Sequence, residues 1–324
     1  MTRNVWAALI ALMAVLVVAA DLAAAGEKYP ERPVELIVPA AAGGGTDIVA
    51  RILAEAAEPI LGQKLVVVNK PGGSGTIGLG IIAQARPDGY SLGCIYNSPL
   101  TMVPNVLRVG FAADDFTYVT MLAKGPMLFA VRSEFPAKTA AEFFEYAKKN
   151  PGKLTYAGDG VGNIVHYSGE RVFHAKEVKL RLVPFGGAGE SIKALLGGHV
   201  DIYGGTAPPA IPHIKAGKVR ALFVTTREKV DALPDVPGVT ELGSNVPETF
   251  IWRGIIGPKG LPADRAAVIE KALQQAVQSP KVSEKLKELG EVPAIGGGKE
   301  FERQAKEETA AMATVAKQLG LSPK

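Results

Sequence analysis

The sequence has a single cysteine, Cys94, so it can hold no internal disulfide and no zinc site of the CxxC kind. Cys94 lies in an apolar stretch and is expected to pack as a small core residue. Its four histidines, His166, His174, His199 and His213, fall in neither HxxxH nor HExxH spacing, so no metal site is read. Charge of one sign is scarce too. Lys and Arg number 36 against 32 Asp and Glu, a formal +4 with no basic run, which speaks against dedicated nucleic-acid binding. Catalytic fingerprints are also missing. Gly158-Asp159-Gly160-Val161-Gly162-Asn163 lacks the third glycine of GxGxxG, and GxxxxGK[ST] does not occur. Gly72-Gly73-Ser74-Gly75-Thr76 approaches GxSxG but ends in Thr and follows its strand at a distance, which a nucleophile elbow does not. No nucleophile, base and orienter can be assembled from spacing, so neither an enzyme nor a cofactor is expected.

What is present begins with an export signal. Arg3 is a short positive region, residues 5–20 are an unbroken apolar run, and Ala23 and Ala25 supply small residues for cleavage before Gly26. The run is short for a bilayer span of about 20 residues. The expectation is a signal peptide over residues 1–25 and a protein released outside the cytoplasm, in the periplasm. The whole chain of 324 residues is 47% hydrophobic, too apolar for disorder and long enough for one large core or two smaller ones.

Beyond residue 25, strand and helix alternate. Residues 34–38 (VELIV) read as a buried strand. Residues 46–61 then place Ile48, Val49, Ile52, Leu53, Ala56, Ala57, Ile60 and Leu61 on one helical face, and Gly62 ends the helix. Strands are read at 65–68, 90–96, 128–131, 154–157, 180–183, 200–203 and, as the last, 220–225. Helices separate them, at residues 140–150, 163–174, 190–197 and 209–216 among others. From residue 262 the chain reads as mainly helical. Strands separated by helices imply βαβ units and a mostly parallel sheet, with two α/β units and a helical tail.

Three glycine-rich loops carry the chemistry: residues 40–47, 158–163 and 185–190. Each follows a strand and opens a helix. Glycine leaves amide N–H groups uncovered, and the helix N-terminus adds partial positive charge, so an anion can be held without a basic side chain. In an α/β protein these loops gather at the carboxyl ends of strands, where ligands bind.

At these loops the chain resembles a known family. The matching text includes Tyr29-Pro-Glu-Arg-Pro33, Pro39-Ala-Ala-Ala-Gly-Gly-Gly-Thr-Asp47, Asn69-Lys-Pro-Gly-Gly-Ser-Gly75 and Pro87-Asp-Gly-Tyr90. It continues through Asn150-Pro-Gly-Lys-Leu-Thr-Tyr156, Gly158-Asp-Gly-Val-Gly162 with His166, Leu195-Leu-Gly-Gly-His-Val-Asp201 and Trp252-Arg-Gly-Ile-Ile-Gly-Pro258. In this order they resemble the extracytoplasmic substrate-binding proteins of tripartite tricarboxylate transporters, the Bug family. The resemblance implies a type II periplasmic-binding-protein fold: two α/β domains with a ligand cleft between them, domain 1 at 26–124 plus 227–324 and domain 2 at 125–226. It implies a monomer that captures a small organic carboxylate and delivers it to a membrane permease. A ligand-sensing subunit for a membrane histidine kinase, and an exported enzyme using the same cleft, are the alternatives.

The resemblance also implies site residues. Ala41, Ala42, Gly43, Gly44 and Gly45 would form the domain 1 half, with Asp47 either touching ligand or ordering the loop. Asn97, Ser98 and Thr101 could donate to an acid or cap the next helix. Gly160, Val161, Gly162 and Asn163 would offer amides from domain 2, with His166 bracing their loop. Tyr203, Gly205 and Thr206 could reach the distal end of the ligand. Trp252 is read as packing, and Arg253 as either a surface residue or a second carboxylate anchor. Family members often have Ser at the position of Gly158, Ser or Thr at that of Asn163, and a polar residue at that of Gly186. These departures bear on ligand identity rather than on fold.

Overall fold

The computed structural model describes residues 29–318, 320 and 321. The expected signal peptide, residues 1–25, lies outside them. β1 (Val34–Val38) is followed by α1 (Gly45–Leu61), β2 (Leu65–Asn69), α2 (Thr76–Ala83), β3 (Ser91–Tyr96) and the short α3 (Asn97–Thr101). β1 is apolar apart from Glu35 and lies between β2 and β3, parallel to both, and its residues other than Glu35 are buried on either face, as in a parallel sheet covered on both sides. α1 buries Val49, Ala50, Leu53, Ala54 and Ala57 along one stripe. It ends at Gly62, whose left-handed φ of 69° lets its N–H reach the Glu58 carbonyl.

β4 (Phe116–Arg132) is the longest strand. The second set of units then runs α4 (Ala140–Lys149), β5 (Thr155–Gly158), α5 (Ile164–Ala175), β6 (Arg181–Pro184), α6 (Ala188–Leu196), β7 (Ile202–Thr206), α7 (Ala207–Lys215) and β8 (Val219–Val224). A short α8 (Val239–Leu242) leads to β9 (Phe250–Pro258), α9 (Ala263–Gln278), α10 (Pro280–Glu288), β10 (Val292–Gly297) and α11 (Gly298–Gln318).

The sheet order is β2-β1-β3-β9-β4-β7-β5-β6, with β8 and β10 also paired to β4. β4 changes partners along its length: residues up to Pro126 pair with β9 and β10, and residues from Met127 onward pair with β7 and β8. A proline lacks the N–H a ladder needs, and Pro126 stands at this changeover. The pairs β1/β2, β1/β3, β5/β6 and β5/β7 are parallel, whereas every pairing of β4 and β9 is antiparallel. The sheet is therefore mixed rather than mostly parallel.

Three strands depart from the sequence reading. The strand expected at 128–131 is the apolar end of β4, whose first half is punctuated by Thr117, Thr120, Lys124 and Gly125. β9 carries Arg253 and Gly254, and β10 carries Pro293 and two glycines, so neither has the apolar period of a strand. Both are strands because β4 and β3 offer them open edges. They also place two strands after residue 225, where none was expected, and one of them inside the tail read as helical.

α11 packs back over this hub. Phe301 is wholly buried, with edge contacts to Trp252 and Tyr118 at centroid distances of 5.0 and 5.2 Å. Glu308 accepts from Trp252 Nε1 at 2.6 Å and from Asn97 Nδ2 at 2.9 Å. Replacing Phe301 by Ala leaves a cavity between β4, β9 and α11 and costs about 3–5 kcal/mol. Urea unfolding followed by circular dichroism is expected to show a clearly lower midpoint.

Candidate functional site

The loops after β1, β3, β5 and β6 and the end of β7 meet on one side of the sheet. Asp47, in the first turn of α1, is 3% exposed. Its Oδ2 accepts the Gly43 N–H at 2.8 Å, and its Oδ1 accepts from Arg51 Nε and Asn69 Nδ2, each at 3.0 Å. Burial alone would raise its pKa, but the Arg51, Gly43 and Asn69 hydrogen bonds outweigh it and hold the carboxylate below its ordinary range. These are contacts of loop ordering.

The ordered loop packs against the opposite glycine loop. A β-carbon on Gly189 would lie 2.9 Å from the Ala42 carbonyl oxygen, and one on Gly187 would lie 3.3 Å from the Ala41 nitrogen. Gly44 N–H turns back to the Ala41 carbonyl at 3.2 Å. A β-carbon on Gly45 would collide with Thr206 Oγ1 and come within 2.8 Å of Arg253 Nη2. Glycine is required at these positions by close approach, not by turn geometry alone.

Arg253 lies on β9 and is wholly buried, so it is not a surface residue. Its Nη1 pairs with Glu291 Oε2 and its Nε donates to Thr46 Oγ1 at 3.3 Å. Burial pushes the Glu291 carboxyl up, while Arg253 pulls it back down. Gly125 makes room for this pair: a β-carbon there would come 2.6 Å from the Glu291 carboxyl carbon. Arg253 Nη2 has no partner, and neither does Thr206 Oγ1, although both are buried. Both point at Gly45, the first residue of α1. Glu291 is the anion that lets this guanidinium lie beside the positive end of a helix.

The β5–α5 loop is used differently. Gly162 N–H donates to His166 Nδ1 at 3.1 Å, so this amide is committed to the brace and is not free for a ligand. Asn163 caps α5: its Oδ1 accepts from Val165 N–H at 3.3 Å, and its Nδ2 donates to Tyr96 OH at 3.1 Å. Val161 is 44% exposed, and its carbonyl accepts from Ser74 Oγ at 3.1 Å. Gly160, at φ 106°, packs against the same Ser74 hydroxyl.

Other expected site residues sit inside the protein's own network. Thr101 Oγ1 donates to the Asn97 carbonyl, and Asn97 Nδ2 donates to the Phe250 carbonyl as well as to Glu308. Tyr203 is wholly buried and its OH donates to the Thr206 carbonyl at 2.6 Å, so the phenol turns onto its own strand end. Gly205 leaves space for that ring. Trp252 packs in the core beside Phe301. Ser98 Oγ remains buried and unpartnered. Ser74, Glu291 and Asp159 were not singled out from sequence. Ser74 lies in the Gly72-Gly73-Ser74-Gly75 turn, whose glycines were a visible signal, whereas nothing near Glu291 marks it.

Burial lowers the His166 pKa from 6.5, and only the neutral ring can accept the Gly162 N–H. The unfolded chain therefore binds a proton near pH 6.5 that the folded chain refuses until lower pH. Stability is lost as pH falls through and below that value. Thermal unfolding of wild type and His166→Gln is expected to show the wild-type advantage shrinking between pH 7 and pH 5.

Comparison with known proteins agrees with this architecture. The family model "Tripartite tricarboxylate transporter family receptor" matches residues 49–321. A UPF0065 protein of Agrobacterium vitis, from the TAR-I ttuE-ttuC' intergenic region, is 34% identical over 273 residues, covering 84% of this chain and 79% of its own. The structure of the periplasmic binding protein BugD is 35% identical with a TM-score of 0.87, over 91% of this chain and 100% of that one. R. palustris Rpa4515, solved with adipate, is 30% identical with a TM-score of 0.88, over 91% and 100%. On sequence and fold together, the chain belongs to the tripartite tricarboxylate transporter receptor family.

Proposed function

We propose that this chain is an extracytoplasmic solute-binding protein that captures a small organic carboxylate between two lobes and delivers it to a membrane permease. The observation that carries the reading is the convergence of Arg253 Nη2 and Thr206 Oγ1, both buried and unpartnered, on Gly45 at the N-terminus of α1. The N-terminus of α1, a hydroxyl and a guanidinium packed together behind one loop favour a carboxylate beside it. The adipate held by the family member Rpa4515 supports the ligand class.

We place the first lobe around β1–β3, β9, β10 and the C-terminal helices, and the second around β5–β8. The chain crosses over at Pro126 in β4. Residues 227–249 go with the second lobe, not with the first as expected. Arg171 and Lys176 donate to the Glu248 and Leu242 carbonyls, Asn245 to the Ala175 carbonyl, and Thr249 Oγ1 to Ser168 Oγ at 2.8 Å. The return crossing is then the start of β9. Ser74 with Val161, and Asn163 with Tyr96, bond across the cleft and support a closed arrangement. Gly45 and Arg253 belong to the first lobe and Thr206 to the second, so a bound carboxylate touches both. It stabilises the closed state over the open one and shifts that equilibrium.

Calorimetry of the purified protein against mono-, di- and tricarboxylates is the direct test, with binding of at least one expected. Turnover of a substrate with no organic acid bound would overturn the reading. Thr206→Val separates function from folding. Removing an unsatisfied buried hydroxyl should raise the melting temperature of the free protein, while carboxylate affinity falls about tenfold, ~1.4 kcal/mol.

A further inference from the structure

The turn that carries Ser74 closes over the β5–α5 loop beside a cavity of about 390 Å³. Residues 72–75 and Tyr96 line one side of it, and Asp159, Gly160, Phe185 and Glu190 line the other. The two sides touch. Ser74 Oγ donates to the Val161 carbonyl at 3.1 Å, and a β-carbon on Gly160 would collide with the same hydroxyl. Asp159 precedes Gly160 and is drawn in with it. Its Oδ1 is buried and has no hydrogen-bond partner.

No element that faces Asp159 answers its charge. Glu190, on α6, adds a second carboxylate, held in place by the Gly186 N–H at 2.9 Å. The phenols of Tyr96 on β3 and Tyr203 on β7 are kept protonated by burial. Tyr203 OH is committed to the Thr206 carbonyl, and Tyr96 OH accepts from Asn163 Nδ2. Among the described residues, no Lys, Arg or His lines the cavity. Burial, then the charge of Glu190, pushes the Asp159 carboxyl up to about 7, as happens to an acid without a counter-charge.

We propose that closure of the cleft takes up one proton at Asp159, so that acid strengthens ligand capture and alkali weakens it. The inference rests on the two-lobe carboxylate reading and adds the regulation of that cleft. With the lobes apart, Asp159 faces water and keeps an ordinary carboxylate pKa of about 3.9. Closure strips water from Oδ1 and supplies no donor in its place, which a neutral acid tolerates far better than an anion. The proton comes from solvent and adds to the carboxylate, and nothing else is transferred. The closed state then holds more protons than the open one between about pH 4 and pH 7. Its advantage falls as pH rises through that window and is level above it.

The test counts protons. Adipate, succinate and hexanoate are titrated calorimetrically into the ligand-stripped protein at pH 6, 7 and 8, in buffers of different ionisation enthalpy. Subtracting the uptake of Asp159→Asn cancels the titration of the ligand and of His166. Wild type is expected to take up close to one proton more than this variant at pH 6 and close to none more at pH 8. At pH 8 Asp159→Asn should bind about tenfold tighter than wild type, because an amide has no charge to bury. Glu190→Gln retains an acceptor for the Gly186 N–H and removes the neighbouring charge. Its uptake at pH 7 should fall below that of wild type, and it guards against a misfolded Asp159 variant. Uptake unchanged by both substitutions, or a folded Asp159→Asn protein that binds no tighter at pH 8, overturns the inference while the carboxylate reading stands. Failure of every acid to bind overturns both.

Discussion

A single buried charge organises the middle of this protein. Arg253 lies on β9 without solvent, and a guanidinium in that position is tolerable only where hydrogen-bonded counter-charges surround it. Glu291 supplies the counter-charge from the connection between α10 and β10, and Gly125 must be a glycine for that carboxylate to fit beside β4. Thr46 ties the same guanidinium to the first turn of α1. One side chain therefore fixes the register of β9 against β4, the position of the C-terminal strand and the start of the helix that faces the cleft. Its Nη2 lies without a hydrogen-bond partner against Gly45, where that helix begins.

The crossover near Arg253 lets the two lobes share a sheet and still differ in partners. β4 is continuous, so the lobes are joined by backbone that can twist but not slide, and Pro126 stands where the ladder changes hands. α11 closes the back of this junction through Phe301 and Glu308. The mouth is held by lighter contacts, Ser74 with Val161 and Asn163 with Tyr96. The back of the junction is thus densely packed and its opposite side lightly bonded.

Much of this was legible beforehand, for definite reasons. The βαβ grammar of the first half was readable because β1, β2 and β3 are short, apolar and bounded by glycine and proline. α1 was readable because its buried stripe repeats with helical period. The glycine loops were readable as close-approach sites. Less legible was how each loop spends its amides. Gly162 looks like a free donor until His166 is seen four residues on, and Tyr203 looks like a cleft residue until its hydroxyl turns to Thr206. β9 and β10 escaped notice because Arg253, Gly254 and Pro293 break the apolar pattern that marks a strand, and only the neighbouring strands compensate for that.

Local patterns alone determined the shortage of cysteine, histidine and one-signed charge, the strand–glycine loop–helix units, and hence a cleft that favours an anion. The tertiary structure decided the contents of that cleft. Arg253 and Glu291 are 38 residues apart in sequence and meet only in the fold. Whether a charge is paired, orphaned or repelled depends on burial and on distant partners, and neither is encoded within a window of neighbouring residues.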